Sequence, residues 1–164
     1  MLLRRPGFTL IETLIYTAFD GMIMTTMVLL ASTAFTVRSK LRASIVLEQN
    51  VRFAVTRITT VISEASGITT PALGTSSSTL VLTTSATSTN PTTIRNTGGI
   101  ITITQGATGT ALTLNSNEVS FSNLSFTRVS STAAMVRIVA SGGLRNAAAS
   151  YATITVTTTA AVRR

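Results

Sequence analysis

From Phe8 to Val37 the chain is mostly apolar, broken only by Glu12, Asp20 and scattered Thr and Ser, and no Pro occurs between Pro6 and Pro71. Roughly 20 apolar residues cross a hydrocarbon core of about 30 Å as a helix, so this run is long enough to span a membrane. A chain of 164 residues that commits so much to one apolar helix has room for one modest further domain. Arg4 and Arg5 precede the run, and Arg38, Lys40 and Arg42 follow it. With basic residues at both ends, the positive-inside bias does not fix orientation. The simpler topology keeps the short leader inside and exports the long remainder.

Glu12 lies near the entrance of the run and Asp20 within it. A charge at the bilayer centre costs several kcal/mol on insertion scales, so such a group faces a partner or a protein interior and marks function. A cleaved signal peptide is the alternative for this segment, with Ser32-Thr33-Ala34 as its cleavage site. Glu12 and Asp20 speak against it, because they fall where that signal is basic or purely apolar. Arg38 offers Glu12 no partner, being roughly 39 Å away along a helix that rises about 1.5 Å per residue. Glu12 is therefore expected to meet lipid headgroup, water or another subunit.

Gly7-Phe8-Thr9-Leu10-Ile11-Glu12, after Arg4-Arg5-Pro6, resembles the class III leader junction of type IV pilins and of the pseudopilins of type II secretion. The resemblance implies that a prepilin peptidase cuts between Gly7 and Phe8 and methylates the new amino group of Phe8. It implies too that Glu12 pairs with the N-terminal amine of a neighbouring subunit during assembly. Physical chemistry makes such pairing sensible, since a buried carboxylate is costly alone and tolerable when paired, and a misregistered neighbour leaves two charges unmatched. Asp20, followed by Gly21, departs from the commonest pilin pattern, as does the absence of Pro from the span. Asp20 is read three ways: paired with an Arg of another subunit within the membrane, set at an unwound turn beside Gly21, or facing a gap between helices.

Between Arg38 and Ala65 the residues Leu47, Val51, Ala54, Ile58, Ile62 and Ala65 recur at steps of four and three, the period of a helix with one apolar face. Gly67 is the expected C-terminal cap. One nearly continuous helix is expected from Phe8 to Ser66, about 90 Å long. The stretch from Leu47 to Ala65 is also similar to the helix after the membrane segment of J-type minor pseudopilins, which leans the reading toward a minor subunit.

Beyond Gly67 the pattern becomes Thr/Ser-rich with period two. Strands are expected at 79–83, 100–104, 111–114, 119–121, 124–127, 135–139 and 151–156, with turns at Gly98-Gly99, Gly106 to Gly109, Asn115 to Asn117 and Gly142-Gly143. Residues 84–93 are expected to form a mobile polar loop. The expected fold is α+β and pilin-like: leader 1–7, transmembrane or filament-core helix 8–37, amphipathic continuation 38–66, and an antiparallel β head over 67–164 packed on that helix.

The chain holds no His and no Cys, which removes the usual general base, the commonest zinc ligand and the thiol nucleophile. No enzymatic activity, metal or cofactor is expected. Expected partners are a prepilin peptidase, other pilin or pseudopilin subunits, an assembly platform in the membrane, and membrane lipid. The expected location is the cytoplasmic membrane as a single-pass precursor, then a filament at the cell surface or in the periplasm. The alternative is a membrane-anchored adhesin or DNA-uptake factor that forms no filament. The net charge of +8 suits an anionic partner, and Arg128, Arg137, Arg145, Arg163 and Arg164 are the candidates for a DNA-binding patch, with solvated surface arginines as the plainer reading.

Overall fold

The computed structural model describes residues 7–130, 134–145 and 153–163. One helix, α1, spans Leu10–Glu64, and nine strands follow it: β1 Gly67–Thr70, β2 Ser76–Ser77, β3 Thr79–Thr83, β4 Thr92–Thr97, β5 Ile100–Gln105, β6 Leu112–Thr113, β7 Val119–Ser130, β8 Met135–Leu144 and β9 Ile154–Ala161. The fold is α+β, a long N-terminal helix packed on antiparallel sheets. The chain divides into two units, Met1–Leu41 and Arg42–Arg164, with the boundary inside α1.

Among the described residues the antiparallel head holds two sheets. The first has the order β1-β3-β4-β5-β6 and the second β2-β7-β8-β9. The helical stripe Leu47, Val51, Ala54, Ile58, Ile62 and Ala65 is buried throughout, together with Val55 and Val61. Against it pack Leu80, Leu82, Ile94, Ile101 and Ile103 of the first sheet and Val119, Phe121, Phe126, Val136 and Ile138 of the second. These are alternate strand positions, so each sheet turns one face to the helix and one to water.

Side-chain amides join the two sheets. Asn115 accepts the Ile101 N–H at 2.8 Å and donates to the Val119 carbonyl at 2.7 Å. Asn96 donates to the Phe121 carbonyl at 2.9 Å. Asn50 of α1 accepts the Ser116 N–H at 2.9 Å, fastening the helix to the segment before β7.

Several expected boundaries are corrected. The helix ends at Glu64, and Gly67 is the first residue of β1 and not a cap. The two expected strands at 119–121 and 124–127 are one, β7. Its register shifts between Phe121 and Asn123, and this bulge moves the buried series from Val119 and Phe121 to Leu124 and Phe126. Gly142-Gly143 is not a turn but part of β8, at a close approach: a Cβ on Gly142 would lie 3.4 Å from the Phe121 ring and 3.4 Å from Val51 Cγ2. The loop expected over 84–93 ends earlier, since Thr92 and Thr93 open β4, and a 3-10 turn occupies Thr87–Thr89. The last strand lies further along than expected. Tyr151 and Ala152 of that expectation, with residues 1–6 of the leader and Arg164, fall outside the described residues.

Candidate functional site: the amino-terminal end of the apolar helix

Thr9 starts the helix. Its carbonyl accepts the N–H of Glu12 at 3.1 Å and of Thr13 at 3.2 Å, and its Oγ1 accepts the Glu12 N–H at 3.4 Å. That is the geometry of an N-cap hydroxyl, with Glu12 at the third helical position. Thr9-Leu10-Ile11-Glu12 has the spacing of a capping box, a signal present in the sequence and missed there. Half of the box is formed: the hydroxyl bond is made, and the carboxylate makes no hydrogen bond or ion pair among the described residues. Glu12 is half-buried, and the positive end of the helix macrodipole favours a carboxylate in its first turn. Glu12 thus has a local source of stabilisation besides those expected from the sequence.

Gly7 and Phe8 precede the helix, outside any regular element. Gly7 is exposed, and no heavy atom among the described residues lies within 4 Å of a Cβ built on it. Phe8 is exposed, and its ring meets Tyr16 edge-on with centroids 6.4 Å apart.

The apolar side chains of this unit lie open. Leu10, Ile11, Leu14, Phe19, Met22, Met24 and Leu30 are all exposed. The helix has a mean hydropathy of 1.6 in its most apolar stretch, none of it buried, and it is long and apolar enough to cross a membrane. Its hydroxyls suit that environment. Every Thr and Ser from Thr13 to Ser39 donates to a carbonyl three or four residues earlier, as Thr13 does to Leu10 at 2.9 Å and Thr25 to Gly21 at 2.7 Å. A hydroxyl closed on its own helix presents no unmet donor to an apolar medium.

Asp20 is exposed, and α1 runs unbroken through it and Gly21. The unwound turn considered from the sequence is not formed. Asp20 has no ion-pair partner among the described residues.

The head arginines differ in setting, Arg164 lying outside the described residues. Arg128 turns inward, its Nη1 donating to the Ile68 carbonyl at 3.2 Å while its Nε is buried without a partner. Arg137 is near the start of β8, opposite Thr159 of β9, and Arg145 follows the other end of β8. A cleft of about 260 Å³, lined by Val61, Glu64, Thr84, Ser85, Thr89 and Gln105, lies beside the end of α1. Among the described residues no group of three or more carboxylates could hold a metal ion.

No family model, no characterised protein and no solved structure matches the chain.

Proposed function

We propose that this chain is a pilin-like structural subunit of a type IV pilus or a type II secretion pseudopilus, inserted in the cytoplasmic membrane as a precursor. A prepilin peptidase hydrolyses the bond between Gly7 and Phe8 and methylates the freed Phe8 amine, and the trimmed helix packs among its neighbours. Glu12 supplies the carboxylate that pairs with the amine of an adjacent subunit. The head carries the exposed contacts, and no catalysis is assigned to it.

The observation that carries this reading is the conjunction at the helix start. An exposed Gly7-Phe8 junction is followed within two residues by a helix of exposed apolar side chains, whose single first-turn acid, Glu12, has no ion-pair partner among the described residues. An exposed apolar surface of this extent calls for lipid or protein around it. Lipid alone would also satisfy that surface, which supports the second reading: an anchored adhesin or uptake factor that never assembles.

Intact mass of the mature chain separates these from a secreted protein. A chain starting at N-methylated Phe8 is expected, whereas an intact Met1 or cleavage after Ala34 sinks the proposal. Filament assembly is tested with Glu12→Gln. The variant should stay in the membrane fraction and fall out of the filament fraction; normal incorporation would show that the Glu12 pairing is unnecessary, and an unsubstituted chain absent from filaments would leave the anchored, non-assembling reading in its place.

A further inference from the structure

β9 is the outermost strand of its sheet. Its register with β8 runs from Met135↔Ala161 to Gly142↔Ile154 without a shift. The Val162 N–H donates to the Ala134 carbonyl at 3.3 Å, which fixes the phase of the ladder. Bonded and non-bonded pairs alternate in an antiparallel pair, so Ile154, Val156, Thr158 and Ala160 bond to β8. Thr155, Thr157, Thr159 and Ala161 therefore turn their N–H and C=O groups outward. Arg163 continues that outward series, and its N–H is taken by the Ser63 carbonyl at 3.2 Å. The helix thus closes the end of the edge, and among the described residues nothing pairs with the four residues before it.

Edge strands of soluble proteins are blunted by Lys, Pro, a bulge or short length. Ile154–Ala161 is 8 residues long and has none of these. We propose that this edge accepts an extended strand from a different polypeptide, one that alternates apolar and hydroxyl residues and carries an acidic side chain opposite Thr159.

The chemistry of that strand follows from the two faces of β9. Ile154 and Val156 are half-buried against the core, so apolar residues on the incoming strand's inner face would complete their cover. Thr155, Thr157 and Thr159 are exposed on the outer face, where hydroxyl pairs across strands are favourable. Arg137 is exposed and opposite Thr159. The incoming strand would lie about two strand spacings, roughly 9.6 Å, from it, within reach of a long side chain for an acidic partner.

The partner is not a second copy. The other sheet edges, β1, β2 and β6, hold 4, 2 and 2 residues and cannot match β9 along its length. A second β9 would bring no acidic side chain opposite Thr159, since Ile154–Ala161 holds none.

The test uses the full chain in detergent micelles and a capped octapeptide alternating Val and Thr, with Glu at the position facing Thr159. Amide hydrogen exchange should show peptide-dependent protection of Thr155, Thr157 and Thr159. Thr157→Pro removes an outward N–H and should weaken the response about tenfold, with Thr157→Val retaining it. A peptide N-methylated on its β9-facing amides should give no protection, which tests main-chain pairing without altering the protein. No protection by the first peptide, or equal protection by both, overturns the proposal. Concentration-dependent protection without peptide would make a second copy the occupant and overturn the choice of partner. The anchor is scored separately: extraction of the chain from membranes by alkaline carbonate would remove that reading and leave the exchange result standing.

Discussion

The Oδ1 of Asn50, one turn into the buried part of α1, lies 2.9 Å from the amide nitrogen of Ser116, 66 residues further along the chain. The same side chain donates to the Val46 carbonyl at 2.9 Å. One amide thus holds the helix and the approach to β7 together. Asn50→Ala should cost about 0.5–1.5 kcal/mol, the net worth of an ordinary hydrogen bond, since the exposed Ser116 N–H can turn to water. Asn50→Asp keeps an acceptor and should cost less. Urea denaturation of the full chain in detergent, followed by near-ultraviolet circular dichroism, gives the ordering.

Asn115 is the more central of the two. It serves Ile101 from its oxygen and Gly99, Ser116 and Val119 from its nitrogen. Asn115→Ala should destabilise the head by about 2–3 kcal/mol, more than Asn50→Ala, because a buried donor and a buried acceptor both lose partners. Equal losses for the two variants in the same denaturation would contradict this ranking.

Two glycines predict opposite outcomes. Gly99 has φ +82°, and an added Cβ would fall on the Ser120 side chain, so Gly99→Ala should cost about 1–3 kcal/mol. Gly142 has a permitted φ and would meet Phe121 and Val51 at 3.4 Å, ordinary contact, so Gly142→Ala should be tolerated within about 1 kcal/mol. Gly142→Val overfills the same place and should approach the cost at Gly99. Adding Ser120→Ala to Gly99→Ala should recover only part of the loss, the remainder belonging to the backbone. Thermal melts of the four variants test the series.

At the helix start, Thr9→Ala removes the cap hydroxyl and should raise exchange of the Leu10 to Thr13 amides, equivalent to about 1 kcal/mol of local stability. Glu12→Gln weakens only the favourable charge at the helix end, worth about 0.3–1 kcal/mol. Comparing the two in a filament-incorporation assay divides Glu12's roles. If the carboxylate pairs with a neighbour, Glu12→Gln reduces incorporation far more than Thr9→Ala; equal effects would assign Glu12 to local capping.

How much of this was legible in the sequence depends on the kind of signal. The buried stripe from Leu47 to Ala65 could be read directly, because a helical period is carried by each residue's own polarity. Phe121 and Phe126 were readable as core for the same reason. β4 was not, since Thr92 is buried with its hydroxyl donating to the Thr89 carbonyl at 2.7 Å, and a satisfied Thr in a core position looks polar in sequence. Nor was the continuity of β7: the extra residue at Ser122 breaks the alternation that marks a strand, and only its pairing with β8 restores it. At the candidate site, the spacing of Thr9 and Glu12 announced a cap, yet the same four residues belong to the leader resemblance and were read only that way. The Arg128 bond to Ile68 spans 60 residues and has no local signature.

The hydroxyls of α1 have a consequence for how such a helix could change surroundings. Each already spends its donor on its own backbone, so a move from acyl chains to a bed of neighbouring helices would make or break none of these bonds. Only the carboxylates and the chain ends would register the difference. The apolar face would set how readily the helix leaves one medium for another, and the sparse charges would decide where it stops.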